Sequence, residues 1–308
     1  MSSAMTRNFT FLVNPASGGG AAPQAVIPVA RLLRDAGARV EVTYSPGPHA
    51  VRELLDAAQS RGDVVVSVGG DGMLSSLAGP VARNSGTLAV LPAGRGNDFA
   101  RMLGLPGDPA GQARVLLTGP ERRVDLLSLA LPGASPRVVV GSVYAGVDAR
   151  AAEIVDRVRL PKKLQYPYAA VRSLASYQPG RYRVSVDGVD REYAAATVVV
   201  ANSAYYGKGM KIAPAAVIDD GVLDVVVIEA ASRLELLRSL PTVYDGTHVD
   251  RPEVTLLRGK RVELRGDARN PIPLGGDGEA LGVLPGLDAD PAVVEIQPGA
   301  VTVIADSA

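Results

Sequence analysis

Cysteine and tryptophan are both absent from the 308-residue sequence. The first absence excludes disulfides and cysteine-based metal centres, without identifying a compartment. The second, with aromatics at only 4%, leaves the core to Val, Leu, Ala and Ile. No excess of charge exists in either sense, since Lys plus Arg and Asp plus Glu are 32 each. No net field therefore draws the chain onto nucleic acid, and attraction to an anionic surface must come from a local patch. No segment approaches the roughly 20 apolar residues of a membrane-spanning helix. Met1 to Asn8 has no long apolar stretch behind a basic start and makes a poor signal peptide. The expectation is a cytoplasmic protein, able to visit a membrane but not to span one.

Histidine is nearly absent, with only His49 and His248. No His-Glu-x-x-His and no G-x-S-x-G elbow occurs, which argues against zinc hydrolysis and serine-triad chemistry. The P-loop pattern is missing as well: Gly207-Lys208 is followed by Gly209, in the wrong half of the chain. No G-x-G-x-x-G opens a helix after the first strand.

What is present is ordinary globular composition, 47% hydrophobic and 21% charged, in a chain long enough for two domains. Strands are predicted at 9–13, 39–44, 63–68 and 88–91, alternating with helices at 24–35, 49–59, from Met73 and at 97–103. The third strand is too uniformly apolar for a one-sided sheet. Such alternation predicts a parallel sheet covered on both faces. After about Glu121 the pattern changes to apolar runs at 124–131 and 137–143. Helices follow at 151–159, 164–177 and 233–240, with strands at 182–186, 196–201, 223–228, 261–264 and 293–296. The domains are predicted as 1–122, an α/β domain, and 123–299, a β-rich domain.

Three Gly-rich loops each follow a strand of the first domain and precede a helix. In an open parallel sheet such loops gather at the carboxyl ends of the strands. Their backbone N–H groups and the helix dipoles favour a polyphosphate.

The residues in these loops point to a family. Asn14-Pro15-Ala16-Ser17-Gly18, Gly69-Gly70-Asp71-Gly72 and Pro92-Ala93-Gly94-Arg95-Gly96-Asn97-Asp98-Phe99-Ala100-Arg101 resemble the three catalytic-domain motifs of the diacylglycerol kinase family. In the second half, Gly207-Lys208-Gly209-Met210, Pro214-Ala215, Asp220-Gly221-Val222-Leu223-Asp224 and Asp277-Gly278-Glu279 resemble further segments of that family, in order. The resemblance implies an NAD kinase/diacylglycerol kinase-like α/β domain joined to a β-sandwich-like domain, with 300–308 returning to the first.

It also implies an ATP-dependent lipid kinase that converts diacylglycerol or a related lipid to phosphatidic acid or its analogue. Asn14, Pro15, Ala16, Ser17, Gly18 and Thr43 are expected around the ATP phosphates, with Gly69, Gly70, Asp71, Gly72, Met73, Arg95 and Asn97. Asp98 and Asp125 match acidic positions of a network around Mg2+, which carboxylates beside a triphosphate require. Asp277 and Glu279 are both candidates for the group that accepts the lipid hydroxyl proton, although Asp-Gly is also a hairpin-turn signal. Asp220, with the carbonyls of Val217 and Val222, matches a structural metal site.

Three departures concern nucleotide use: Met73 stands where the family has Thr, Ser75 and Ser76 replace an Asn-Glu pair, and Arg95 replaces Thr. Arg157, Arg159, Lys162, Lys163 and Arg172, with Tyr166, Tyr168 and Tyr177, form a basic, tyrosine-bearing segment for peripheral membrane contact. A solvated helical hairpin explains the same letters. An NAD kinase- or sphingosine kinase-like enzyme and a non-catalytic nucleotide-binding regulator are the alternatives. A homodimer is left open.

Overall fold

The structure, a computed structural model, describes residues 7–44, 48–94, 96–158, 168–169, 172–173 and 177–306, with backbone alone for 48–50 and 155–157. Arg95, Arg159, Lys162, Lys163, Tyr166 and most of the helix expected at 164–177 lie outside the described residues, as does the Arg157 side chain. The chain forms two compact units, one of Met1–Asp125 with Gly299–Ala308 and one of Leu126–Pro298. The division falls three residues beyond the expected 122.

The first unit alternates β1 (Phe9–Val13), α1 (Ala22–Asp35), β2 (Val40–Tyr44), α2 (Pro48–Ser60), β3 (Val64–Gly69), α3 (Asp71–Arg83) and β4 (Thr87–Pro92). Two further helices follow, α4 (Asp98–Met102) and α5 (Pro109–Thr118). The strands are parallel in the order β4-β3-β1-β2. Residues 299–304, the end of the last strand, extend this sheet beside β4, with Thr302 opposite Thr87. Alternation sorts the side chains. Phe9, Phe11, Val13, Val64, Val66 and Val68 pack with Val26, Val29 and Leu33 of α1 and with Val115 and Leu116 of α5. Leu12 and Val65 point the other way, toward the face where α2 and α3 pack on β3.

The sequence pattern does not announce α5, because Pro109 and Gly111 interrupt its first turn. Asp108 starts it by accepting from Gly111 N at 2.8 Å, an N-cap that supplies the missing local signal. At the amino end of β3 the buried Asp63 accepts from Thr10 Oγ1 at 2.9 Å and pairs with Arg39 and Arg61. Ion pairs fix that edge of the sheet, and glycine loops occupy the other.

The second unit is antiparallel. It takes the end of β5 (Glu121–Ala130), then β6 (Arg137–Val139), β7 (Ser142–Gly146), α6 (Val147–Arg157), β8 (Gly180–Val186), β9 (Val189–Ala201) and β10 (Leu223–Glu229). There follow α7 (Arg233–Asp245), β11 (Val254–Gly259), β12 (Arg261–Gly266), β13 (Pro273–Gly276), β14 (Glu279–Val283) and the start of β15 (Ala292–Ile304). The 13-residue β9 organises this unit: its first half pairs with β8, its second with β7 and β10. Val184, Val198, Val200, Val225, Val262, Leu264, Leu274 and Val294 meet in one core.

Several expectations shift: the helix expected at 151–159 begins at Val147, and the strand expected at 196–201 begins at Val189. The run at 137–143 breaks into β6 and β7, because the N–H groups of Val140, Gly141 and Ser142 turn to a carboxylate instead of a strand partner. Helix α7 continues through Pro241 to Asp245 rather than ending at Leu240. A capping box of Ser232 and Glu235 starts it, and Gly246 in the left-handed region ends it.

Candidate functional site

In the first unit the three glycine loops lie at the carboxyl ends of β1, β3 and β4. Asn14 folds the first: its Oδ1 accepts from Ala16 N at 3.0 Å and its carbonyl from Ser17 N at 3.0 Å. Pro15 and Ala16 are exposed at its tip. Gly18, Gly19 and Gly20 then take three successive positive φ angles, which L side chains rarely adopt. A Cβ on Gly18 would stand 2.5 Å from the Ala93 carbonyl oxygen, so the first loop leans on the third. Thr43 pairs with Leu12 in the β1–β2 register and thus sits at the same edge.

The second and third loops touch backbone to backbone. Ala93 N donates to Gly69 O at 3.0 Å, and a Cβ on Gly94 would overlap the Gly70 backbone. Helix α3 begins at Asp71, with Gly70 as an N-cap that offers no side chain. Its first N–H groups face the edge where the loops gather. Asn97, itself at φ 56°, accepts from Gly94 N at 2.8 Å and fixes the third loop. Asp71 reaches across to start α4, accepting from Asp98 N and Phe99 N, each at 3.1 Å. Asp98 pairs with Arg101 at 2.6 Å. A Cβ on Gly96 would lie 3.2 Å from Asp71 Oδ2 and 3.1 Å from Asp98 Oδ2. Both carboxylates therefore border the same small space. Asp125, 1% exposed, accepts from Gly299 N at 2.6 Å and so ties β5 to the returning strand. Ser76 Oγ donates to Met73 O at 2.6 Å, turning its hydroxyl onto its own helix.

In the second unit Asp277 and Gly278, both at positive φ, form the two-residue turn between β13 and β14. Asp277 is not a free carboxylate. Oδ2 accepts from Val140 N at 2.7 Å, and Oδ1 accepts from Gly141 N and Ser142 N, each at 3.0 Å. Glu279, two residues on, is exposed at the start of β14. Tyr144 holds the same turn, its hydroxyl accepting from Gly278 N at 3.1 Å.

The other neighbours of Tyr144 belong to none of the sequence motifs. Its ring meets Tyr206 edge-on, with centroids 5.7 Å apart. The Tyr206 hydroxyl bonds to Asp148, which also accepts from Thr197 Oγ1 at 2.7 Å. Burial pushes the Asp148 carboxyl up, against the pull of the two hydroxyls. The only signal was one acid just after an apolar strand. Gly207, Lys208 and Gly209, all at positive φ, form the tip of the tight loop closed by Tyr206 and Met210.

The predicted structural metal site is built differently. Asp220 Oδ1 accepts from Val222 N at 3.0 Å, and Oδ2 accepts from Arg258 Nη2 at 2.6 Å. Arg258 Nε also lies 3.1 Å from Asp224 Oδ1. Burial pushes the Asp224 carboxyl up, and Arg258 draws it down. A guanidinium thus supplies the positive charge between the two acids, and Val217 is exposed to solvent. Arg258 stands beside Asp220 of the expected metal site and beside Asp224. Among the described residues no cluster of three or more His, Cys, Asp or Glu could hold a metal by itself. Of the basic, tyrosine-bearing segment, Tyr168 and Arg172 are exposed, but Tyr177 is buried and so is no interfacial anchor.

The family model described as diacylglycerol kinase catalytic domain matches residues 8–129. That described as YegS C-terminal NAD kinase beta sandwich-like domain matches residues 141–305. A diacylglycerol kinase of Mycobacterium tuberculosis is 32% identical over 277 residues, which cover 86% of this chain and 90% of that protein. A diacylglycerol kinase of Bacillus subtilis is 28% identical over 252 residues, 77% of each chain. The crystal structure of a diacylglycerol kinase from Bacillus anthracis superposes with a TM-score of 0.68 at 18% identity, covering 98% of both chains, and shares the fold. Loops, turn and both family matches converge: the chain belongs to the diacylglycerol kinase family of lipid kinases.

Proposed function

We propose that this protein transfers the γ-phosphoryl group of ATP to the hydroxyl of diacylglycerol or a closely related lipid alcohol. The observation that carries the reading is the convergence of three glycine loops on one sheet edge, beside the open N-terminus of α3. Backbone N–H groups and a helix dipole suit phosphate oxygens, and loops without side chains let the polyphosphate approach closely. Asn14, Ser17, Gly18 and Gly69 to Gly72 line the donor side, with Asn97 holding the third loop in shape.

Phosphoryl transfer is largely positioning and charge neutralisation. Asp71 and Asp98 offer hard oxygen donors around one space. Magnesium is held by one or two carboxylates together with substrate phosphates, and this pair fits that pattern. When bound, the ion neutralises charge on the triphosphate. Asp125 supports the arrangement by holding the returning strand.

On the acceptor side the hydroxyl oxygen attacks the γ-phosphorus, the bond to the β,γ-bridging oxygen breaks, and ADP leaves. The hydroxyl proton needs an acceptor. Asp277 already accepts three backbone N–H groups, which hold its carboxylate against the turn before β7. Glu279 carries no such bonds, so we assign it as the proton acceptor and Asp277 as the residue that positions the turn.

The test is purified protein with Mg2+ and γ-labelled ATP, offered long-chain diacylglycerol, sphingosine and NAD separately. Label in phosphatidic acid is expected. Label only in the sphingosine or NAD product, or ATP binding with no product at all, overturns the reading.

A further inference from the structure

Helix α7 is apolar on two sides. Its inner side packs through Val243, with Leu236 and Leu240 half-buried. On another side Leu234 is 54% exposed, Leu237 45% and Tyr244 52%, and Pro241 is exposed as well. At about 100° per residue these four fall within an arc of about 80°. They form one continuous stripe, not scattered surface apolar residues.

The charges beside the stripe have a definite sign. Arg233 and Arg238 fall on its two borders by the same spacing. Arg238 forms no ion pair among the described residues, and Arg233 donates only to the Tyr177 carbonyl, at 3.3 Å. The nearby acids are turned back on their own turns: Glu235 accepts from Ser232 N at 2.8 Å, and Asp245 accepts from Thr247 N and Oγ1. An apolar stripe with basic borders and a tyrosine near its end is the pattern of a helix that lies in a membrane interface. No helix among the described residues is long and apolar enough to cross a bilayer, so contact through this helix is contact with one leaflet.

We infer that α7 is a membrane-docking element: Leu234, Leu237, Pro241 and Tyr244 enter the acyl boundary of an anionic leaflet while Arg233 and Arg238 meet its headgroups. The choice of partner rests on the lipid-kinase reading, because diacylglycerol stays in the bilayer and the enzyme must come to it.

The experiment is co-sedimentation of the full chain with vesicles of phosphatidylcholine alone or mixed with phosphatidylglycerol. The double variant Leu234→Glu/Leu237→Glu is compared with wild type, and circular dichroism and melting temperature check its fold. As a second variant, Tyr244→Ser guards against a folding failure of the first. Wild type is expected to sediment with the mixed vesicles, and the double variant to lose roughly tenfold or more in vesicle affinity. Arg238→Gln is expected to lose roughly fivefold on mixed vesicles only. Equal sedimentation of folded variants and wild type overturns the inference. So does a wild-type dimer that Leu234→Glu/Leu237→Glu converts to monomer with unchanged vesicle binding, which would give the stripe to a second copy. Wild-type protein that sediments with vesicles yet phosphorylates no lipid sinks the kinase reading and leaves the docking surface standing.

Discussion

At the scale of single residues, the two acids of the Asp277-Gly278-Glu279 turn divide by their surroundings. Glu279→Gln is expected to lower kcat by about 100-fold or more with ATP affinity unchanged, measured by turnover and by nucleotide titration. Asp277→Asn replaces one accepting oxygen by an amide N–H that faces backbone donors. It is expected to cost about 1–3 kcal/mol of stability, visible as a lower melting temperature. Full activity of Glu279→Gln would refute the assignment. Both acids stand out in the sequence, but the division between them does not, because the N–H of Ser142 that Asp277 accepts lies 135 residues away in the chain. The same holds for Asp220. Its letters resemble a metal ligand, and only the fold shows Arg258 beside it. A chelator should leave the melting temperature unchanged, whereas Arg258→Met should cost about 1 kcal/mol, a modest figure because solvent screens the half-exposed guanidinium. A chelator-induced drop would show that a metal sits beside Asp220.

At the scale of elements, the strands and helices of the first unit follow from apolar periodicity and glycine stops, and most of their bounds fall within two residues of expectation. The contact between loops was not legible. Glycine marks a turn in any sequence, but only geometry shows Gly94 lying against the backbone of Gly70. Gly94→Ala must push the second and third loops apart. It is expected to weaken ATP binding strongly and to cost about 1–3 kcal/mol, by nucleotide titration and melting. Where α7 ends, His248 is buried with its ring nitrogens 3.0 Å from Ile212 O and 3.3 Å from Thr242 O. Burial pulls its basicity below the usual histidine value, outweighing the two carbonyls. The folded state therefore prefers the neutral ring, and its contribution is complete above about pH 6.5 and lost as pH falls below that. His248→Gln keeps a donor for these carbonyls and should flatten the stability profile below about pH 6.5. An unchanged slope in denaturant titrations would show that another group sets it.

At the scale of the whole molecule, the chain passes from the first unit to the second after Asp125 and back after Pro298. The sequence pattern supported the return only through the family resemblance, since an apolar run such as 301–305 carries no sign of its neighbour. Thr302 and Val303 pair with β4, Ile304 joins the core, and Asp306 pairs with Arg114 at 2.9 Å. Deleting 299–308 removes these contacts and leaves the buried Asp125 without the Gly299 N–H. The expected outcome in calorimetry is loss of one unit's unfolding transition, together with loss of ATP binding, while the second unit's transition persists. Retention of nucleotide binding would refute it. A further consequence concerns the order of synthesis. A ribosome releases Phe9 to Pro92 early, but the strand that covers β4 emerges only after every residue of the second unit. Until then β4 is an exposed edge, open to pairing with another nascent chain. Translation pauses in the second half should therefore lower the yield of active protein through misassembly of the first half.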